Sequence, residues 1–403
     1  MEKKRLMYDF SQAASREETN AEKYTLRERL FGTVDVEPVW VADMDINTPD
    51  FVLKSVKQRL EHPIVGYEEV PHSAYKAQAE WLQRRHGLSV SLEDMFHSHS
   101  VVASMSVIIE AFSEEGDEVI VQTPVYPPFF HSVTEHGRKL LKNSLIQNSE
   151  GKYVFDIDRL KVMITPKTKL LLLCSPHNPV GRVWSREELE EIANICYKNN
   201  IVVFSDEIHS DIVYAGKKHT PFAMVSQKAA EISLSAFGVG KTFNMAGFAM
   251  SSVVVQNPLL KEKFEKVYKR VHFAGGNALS HVAFERAYKE GDLWLEELKI
   301  HLWNNYETLC ELSEEYKELI QIIPLEATYL AWLDCRGMEL KDKELRDFFV
   351  EEAKLGLNAG ISFGREGSGF MRLNFAVSSA KMSLIIERLR NALETLRNKR
   401  GKH

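Results

Sequence analysis

Cysteine is scarce in this sequence, with four residues in a chain of 403. The four are Cys174, Cys196, Cys310 and Cys335. They lie far apart and form no C-x-x-C pair, which argues against a disulfide framework or a zinc cluster and favours reduced thiols. No other group of histidines, cysteines and carboxylates has the spacing of metal ligands, so we expect no metal site.

Long hydrophobic runs are also absent. The longest purely apolar runs are short, such as residues 170–174, and the charged N-terminal residues are not followed by a hydrophobic region. We therefore expect neither a membrane span nor a signal peptide, and a cytoplasmic enzyme is the default expectation.

Positive charge is not concentrated in any stretch of the chain. Lys and Arg number 51 against 57 Asp and Glu, which gives a formal net charge of −6. Nucleic acid is therefore not an expected partner, because no segment could follow a phosphate backbone. Apolar residues make up 44% and charged residues 27%. This ordinary globular composition excludes collagen-like, low-complexity and broadly disordered proteins.

Apolar runs of strand length alternate with amphipathic helical stretches from about residue 90 to residue 260. This alternation predicts an α/β fold in which helices cover both faces of a mostly parallel sheet. The predicted strands span residues 118–122, 169–174, 201–205, 231–236 and 251–256. Ser185 and Glu188 form an S-x-x-E capping box that opens one of the covering helices.

The C-terminal third has a different pattern, with strand-like segments at residues 327–334 and 370–377 flanked by helices. It predicts a second, smaller α+β domain. The first fifty residues lack a clear period and predict an arm. We therefore expect an N-terminal arm and part of the small domain over residues 1–50, a large domain over 51–285 and a small C-terminal domain over 286–403.

A lysine follows one predicted strand in the glycine-containing segment from Phe237 to Thr242. A P-loop is excluded because the position six residues before Lys241 is Ser235, where that motif requires glycine. Taken alone, Lys241 could be a solvated loop lysine.

Three other predicted strands lead into polar or aromatic residues. Asp206 follows residues 201–205, Asn178 lies in a proline- and glycine-constrained turn after residues 169–174, and Tyr126 precedes two prolines after residues 118–122. Individually they could be a helix cap, a turn residue and a packing residue. Together they indicate a ligand site, because open α/β sheets contact ligands at the carboxyl ends of their strands.

The combination of N-P-V-G, D-E-I-H, G-K-T-F-N and M-R-L-N-F resembles the fold-type I pyridoxal-phosphate (PLP) enzymes of the class I/II aminotransferase superfamily. Residues 40–45, 62–67 and 206–211 most resemble its cysteine-S-conjugate β-lyase branch, the MalY- and PatB-type cystathionine β-lyases. The resemblance covers roughly residues 8–398. It implies an aspartate aminotransferase-like α/β fold with a mixed, mostly parallel sheet, and a large domain that binds PLP.

The resemblance also implies roles for the residues at the strand ends. Lys241 would form the Schiff base with PLP and then move the proton at Cα of the substrate. Asp206 would face the pyridine nitrogen, Asn178 would donate to the 3′-oxygen and Tyr126 would stack on the ring. His209 stands where aminotransferases of this superfamily commonly carry a tyrosine, a departure that favours the lyase branch.

The phosphate of PLP would bind at Ser100, Val101 and Val102, where a predicted helix begins and its free amides and dipole favour an anion. Related enzymes usually have serine or threonine immediately before the Schiff-base lysine. This chain has Gly240 there, so one hydroxyl contact is absent.

Two further residues complete the implied site. Arg372 lies in a strand between Met371 and Leu373, where a guanidinium suits the α-carboxylate of a small amino-acid substrate, with a structural ion pair as the alternative. Tyr67 lies in a segment that, in similar enzymes, reaches across a dimer interface. The resemblance therefore implies a homodimer with a shared active site and a catalytic contribution from Tyr67.

The resemblance implies a PLP-dependent carbon–sulfur β-lyase that cleaves L-cystathionine or related cysteine S-conjugates to a thiol, pyruvate and ammonia. A class I/II aminotransferase, which would use the same residues, is the alternative. A third hypothesis is a protein that only binds ligands and has no catalytic activity. The presence of Lys241, Asp206, Asn178 and Arg372 argues against it.

Overall fold

The computed structural model describes residues 7–272 and 275–400. The ends of the predicted arm and small domain, residues 1–6 and 401–403, lie outside the described residues. Within the described ranges, no helix combines the length and the apolar character that crossing a membrane would require.

The α-helices are α1 (Glu22–Thr25), α2 (Arg27–Phe31), α3 (Asp50–Leu60), α4 (His72–His86), α5 (Val101–Phe112), α6 (Pro128–Glu135), α7 (Ile157–Met163), α8 (Arg186–Lys198), α9 (Gln227–Ile232), α10 (Val239–Thr242), α11 (Pro258–Arg270), α12 (Ala278–Glu290), α13 (Asp292–Glu315), α14 (Asp342–Asp347) and α15 (Ser379–Arg400). The strands are β1 (Glu37–Pro38), β2 (Met95–Ser98), β3 (Glu118–Thr123), β4 (Lys139–Ser144), β5 (Ile146–Gln147), β6 (Tyr153–Val154), β7 (Thr168–Cys174), β8 (Val202–Asp206), β9 (Ser233–Gly238), β10 (Ser251–Val254), β11 (Gln321–Ile322), β12 (Leu330–Asp334), β13 (Leu355–Gly356), β14 (Asn358–Ala359) and β15 (Phe370–Asn374).

A seven-stranded sheet with the order β2-β10-β9-β8-β7-β3-β4 forms the centre of the molecule. Strands β9, β8, β7, β3 and β4 pair in parallel, whereas β10 is antiparallel to both of its neighbours. The mixed, mostly parallel sheet expected from the sequence is therefore confirmed. The parallel direction brings the carboxyl ends of β3, β7, β8 and β9 to one edge.

Each face of this sheet has its own apolar core. In β7, Leu170 and Leu172 belong to one core and Leu171 and Leu173 to the other, as the period of two in a strand requires. Helices α5 and α11 cover the first face, and α8 covers the second. The continuous leucine run in the sequence is thus explained by burial on both sides.

The predicted capping box at Ser185 is confirmed: its hydroxyl accepts a hydrogen bond from the Glu188 amide, and the Glu188 carboxylate accepts one from the Ser185 amide. The predicted strand at residues 231–236 begins too early. Glu231 and Ile232 are the last residues of α9, because the Ser226 side chain caps that helix by accepting from the Ala229 amide. The strand therefore begins at Ser233.

A second, antiparallel sheet of order β11-β12-β15-β14 lies in the C-terminal third. The N-terminal residues contact this part of the chain: β1 pairs in parallel with β13, and Asp45 forms a bridge with Val377. Helix α15 buries Met382, Ile385 and Leu389 on one face. The division of the chain into three domain ranges stays a prediction.

Candidate active site

A cavity of about 180 Å³ opens at the edge where the carboxyl ends of β7 and β8 meet. Its walls combine residues from the ends of the central strands, the start of α5 and the residues that follow α10. The lining residues are Ala42, His99, Ser100, Val101, Val102, Met105, Tyr126, Cys174, Asn178, Asp206, Ile208, His209, Gly240, Lys241, Met245, Ala246, Met250 and Ser251. Eight of the ten site residues expected from the sequence are among them.

Lys241 lies in the short helix α10, immediately after β9, and its side chain is half-buried. Its Nζ donates a hydrogen bond of 2.6 Å to the carbonyl oxygen of Ala42. Burial and the positive charge of Arg372 lower the pKa of Lys241 to about 8, although Asp43 and Asp206 act in the opposite direction. About a tenth of such amines are neutral at pH 7, roughly two hundred times the fraction for an ordinary lysine.

Asp206 ends β8 and is buried. Its Oδ1 accepts a hydrogen bond of 3.1 Å from the Ile208 amide. Burial raises the pKa of this carboxyl to about 7, a tendency that the Ile208 amide and the nearby Lys241 oppose. A buried carboxyl in this condition gains stability from a proton or from a cationic group placed against it.

Arg372 in β15 is 3% exposed and lies behind Asn178, outside the cavity lining. Its Nη1 donates to Asn178 Oδ1 at 3.0 Å, and its Nη2 donates to the Trp40 carbonyl and to Asn358 Oδ1, both at 2.7 Å. Among the described residues no carboxylate forms an ion pair with it, so the structural ion pair weighed from the sequence is not observed. Burial lowers the pKa of Arg372 to about 10, which is expected for a guanidinium without a counter-charge.

Tyr126 and His209 lie on the cavity wall. The turn that carries Tyr126 is held by the Val125 amide, which donates to the Phe363 carbonyl, and by the 2.8 Å contact of His177 Nε2 with the Pro124 carbonyl. His209 is buried, and its Nδ1 has no hydrogen-bond partner among the described residues. Burial, together with the charges of Lys241 and Arg372, lowers the pKa of His209 well below its usual value, so the imidazole is neutral.

The helix start that the sequence predicted at residues 100–102 is the start of α5, which Ser100 caps: its Oγ accepts a hydrogen bond of 3.1 Å from the Ala103 amide. Val101 and Val102 are the first residues of that helix, and their amides have no partners within it. The helix start therefore presents donors and the positive end of its dipole to the cavity.

Tyr67 does not lie at the cavity. It is fully exposed, in a segment between α3 and α4 that also exposes Ile64 and Val65. Within one copy of the chain, Tyr67 therefore does not contact the cavity to which the sequence assigned it.

The sequence did not indicate that main-chain carbonyl groups of residues 40–43 contact the site. Tyr329 donates from its hydroxyl to the Ala42 carbonyl at 2.8 Å, and Asn374 Nδ2 donates to the carbonyl groups of Val41 and Asp43. Asn358, which contacts Arg372, was missed as well. It lies directly opposite Arg372 in the β14–β15 pair, and only the strand register reveals this.

A comparison with protein families matches residues 42–389 to the aminotransferase class I and II family. The chain belongs to that family. Its curated relatives include cystathionine beta-lyase PatB of Bacillus subtilis, which is 38% identical over 387 residues, or 96% of this chain and 100% of PatB. The resemblance stated from the sequence motifs is thus confirmed.

Solved structures of the family superimpose on most of the chain. Cystalysin of Treponema denticola, which contains a pyridoxal 5′-phosphate cofactor, matches with a TM-score of 0.93 and 31% identity over 97% of this chain and 100% of that one. The PLP-bound C-S lyase of Staphylococcus hominis matches with a TM-score of 0.87 and 32% identity over 96% and 99% of the two chains. The aspartate aminotransferase-like fold expected from the motifs is confirmed.

Proposed function

We propose that this member of the family is a PLP-dependent carbon–sulfur β-lyase that cleaves L-cystathionine or related cysteine S-conjugates. One observation supports the proposal most directly: Lys241, whose pKa is lowered, and the buried carboxyl group of Asp206 line the same cavity. The names of PatB and of the Staphylococcus hominis C-S lyase support the lyase over the transaminase reaction.

The residues around the cavity fit PLP. Asp206 is a buried carboxyl whose raised pKa fits a protonated pyridine nitrogen as its partner. The start of α5 offers amides to a phosphate, and Asn178 and Tyr126 lie on the wall between these two ends. Gly240 leaves open space at the wall, since a Cβ there would meet only Ala246, at 3.5 Å or more.

When bound, PLP supplies an electron-withdrawing ring that stabilises negative charge at the Cα atom of an attached amino acid. Lys241 Nζ removes the proton from Cα, a task for which its lowered pKa provides the neutral amine. Asp206 would keep the ring nitrogen protonated through its buried carboxyl group. Arg372 would bind the α-carboxylate, because within the described part of the chain its guanidinium has only neutral partners and its Nε has no hydrogen-bond partner.

The reaction breaks the Cβ–S bond, and the sulfur leaves with the bonding electrons and takes up a proton. The remaining three-carbon fragment is hydrolysed to pyruvate and ammonia with the consumption of one water. No keto acid is consumed, whereas transamination requires one as the amino-group acceptor.

We further propose that the enzyme is a cytoplasmic homodimer. Tyr67, Ile64 and Val65 are exposed together, and a second copy could cover them and receive Tyr67 at its own cavity. The four cysteines are free thiols, three of them buried, which suits a reducing compartment. Analytical ultracentrifugation of the wild type tests the dimer. Pyruvate release by a Tyr67→Ala variant that still sediments as a dimer tests the contribution of Tyr67 to catalysis.

The deciding experiment incubates the full-length protein with PLP and L-cystathionine, without keto acid, and follows pyruvate and free thiol. We expect the two products in equal amounts, and no turnover for Lys241→Ala. Lys161→Ala is the control, because Lys161 pairs with Glu191 on the surface. Amino-group transfer that appears only after a keto acid is added would instead identify an aminotransferase, and full turnover by Lys241→Ala would contradict the assigned mechanism.

A further inference from the structure

Lys23 in α1 is completely buried, although it is a lysine near the N-terminus. Its Nζ lies 2.9 Å from Asp43 Oδ1 and 3.4 Å from Asp45 Oδ2, and it donates a hydrogen bond of 3.1 Å to the main-chain carbonyl of Asp43. An ammonium group is expensive to bury, and it persists in a core only when it is paired and hydrogen-bonded. Lys23 meets that condition entirely through residues 43–45.

Residues 42–46 form the loop that Lys23 contacts, and the same loop contacts Lys241. Ala42, the neighbour of Asp43 in sequence, accepts the hydrogen bond of Lys241 Nζ. On the far side of the loop, Asn244 accepts from the Met44 amide and donates to the carbonyl groups of Met44 and Ile46. The loop is therefore fixed from the N-terminal arm on one side and from the Lys241 segment on the other.

We propose that Lys23 is a positioning residue for the lyase reaction: by binding Asp43 it holds the Ala42 carbonyl against Lys241 Nζ and shields that amine from water. The proposal rests on the proposed function for the role of Lys241. A small displacement of a reacting group reduces rates strongly, so the arm would affect catalysis without touching the substrate.

The charged groups near Lys241 determine the direction of the expected effect. Arg372 and Lys23 lower the pKa of Lys241, whereas Asp43 and Asp206 raise it, and the cavity walls shield it from water. Replacing Lys23 with methionine removes a positive charge, leaves Arg16, 2.7 Å from Asp43 Oδ2, as the partner of that carboxylate, and loosens the loop. The lost positive charge and the entry of water past the loop raise the pKa of Lys241 from its value of about 8, whereas loss of the Ala42 hydrogen bond lowers it. Burial is the largest cause of the lowered pKa, so the net change is a rise.

Lys381 provides a matched control in the same cluster. Its Nζ lies 3.0 Å from Asp45 Oδ2 and 2.7 Å from Glu37 Oε1, and it donates to the Tyr24 hydroxyl at 2.6 Å. It makes no ion pair with Asp43 among the described residues. Lys381→Met therefore removes a half-buried cation from the cluster and leaves the contact between Lys23 and Asp43 in place.

The test labels the full-length protein with acetic anhydride over a range of pH and quantifies acetylation of Lys241 by mass spectrometry. Without cofactor, we expect the labelling midpoint of Lys23→Met to lie about one pH unit above that of the wild type, and that of Lys381→Met to be unchanged. Lys23→Gln, which keeps an amide donor for the Asp43 carbonyl, is the second variant in case Lys23→Met does not fold. An unchanged midpoint in the folded Lys23 variant, or an equal shift in Lys381→Met, would overturn the proposal.

The same labelling tests the proposed function independently. PLP should protect Lys241 of the wild type from acetylation, and equal labelling with and without PLP would contradict the cofactor assignment. A wild type that is protected by PLP, combined with a Lys23 variant whose midpoint does not move, would refute the positioning role alone.

Discussion

Replacing Asp206 with asparagine should stabilise the cofactor-free protein, and increasingly so as the pH rises. Burial raises the pKa of this carboxyl to about 7 in the folded protein, whereas an unfolded chain keeps a value near 3.8. Between these two values the unfolded state releases its proton while the folded state retains it, so the wild type loses stability with rising pH. Above about pH 7 both states are ionised, and the penalty becomes constant.

The magnitude follows from the two pKa values. A difference of about three corresponds to roughly 4 kcal/mol in total, of which about 2–3 kcal/mol develops between pH 5 and pH 8. Asparagine has no proton to lose in this range, and its Oδ1 can still accept from the Ile208 amide. The free energy of unfolding of Asp206→Asn, minus that of the wild type, should therefore grow by about 2–3 kcal/mol from pH 5 to pH 8.

Urea unfolding of the cofactor-free protein at pH 5, 6.5 and 8, followed by tryptophan fluorescence, measures this difference. Asp211→Asn is the control: burial would raise the pKa of Asp211, but hydrogen bonds from His86, Thr242 and Trp81 outweigh it and hold the pKa below its usual value. That variant should lose stability at all three pH values, in contrast to the gain expected for Asp206→Asn. If the difference between Asp206→Asn and the wild type were independent of pH, the account of Asp206 would be refuted. With saturating PLP, the wild type should become more stable than Asp206→Asn, because the asparagine cannot form an ion pair with a protonated ring nitrogen.

Two further substitutions test the cavity wall. Gly240→Ser should tighten PLP binding about tenfold, because a Cβ there meets nothing closer than 3.5 Å and the hydroxyl can donate to the phosphate. Gly238→Ser is the contrasting variant: its Cβ would lie 2.9 Å from both Ile208 and Ser251, so we expect it to lose about 1–3 kcal/mol of stability. PLP titration measures the affinity change, and thermal denaturation measures the stability change. Arg372→Lys should raise the KM for the amino-acid substrate about tenfold or more, because an ammonium cannot reproduce the fork of donors; steady-state kinetics with an unchanged KM would contradict its proposed role.

The strand ends were the part of the site that the sequence predicted well. Buried parallel strands have a continuous apolar signature, and the polar residues that follow them, such as Asp206 and Asn178, must lie at one edge once the strands are parallel. Lys241 was found in the same way, although its neighbours suggest a nucleotide loop at first. The motif resemblance added the cofactor, which spacing alone did not indicate.

Most of the contacts that could not be predicted from the sequence involve main-chain carbonyl groups, which any residue type can provide. The Ala42 and Trp40 carbonyl groups that accept from Lys241 and Arg372 could belong to any residue, and only the packing of the N-terminal segment places them there. Asn358 was missed because its relation to Arg372 depends on strand register. The early boundary at Glu231 arose because an apolar, β-branched segment can also complete a helix when a capped start such as Ser226 precedes it.

The pairing of β1 with β13 joins Glu37 and Pro38 to residues that lie more than 300 positions later in the chain. At a synthesis rate of about 5–20 residues per second, the N-terminal segment waits roughly 15–60 s on the ribosome for its partner strand to be made. The central sheet from β2 to β10 can assemble during that time, because all of its strands precede residue 255. Glu37 and Pro38 are thus made early in synthesis but are among the last residues to gain their native strand partners.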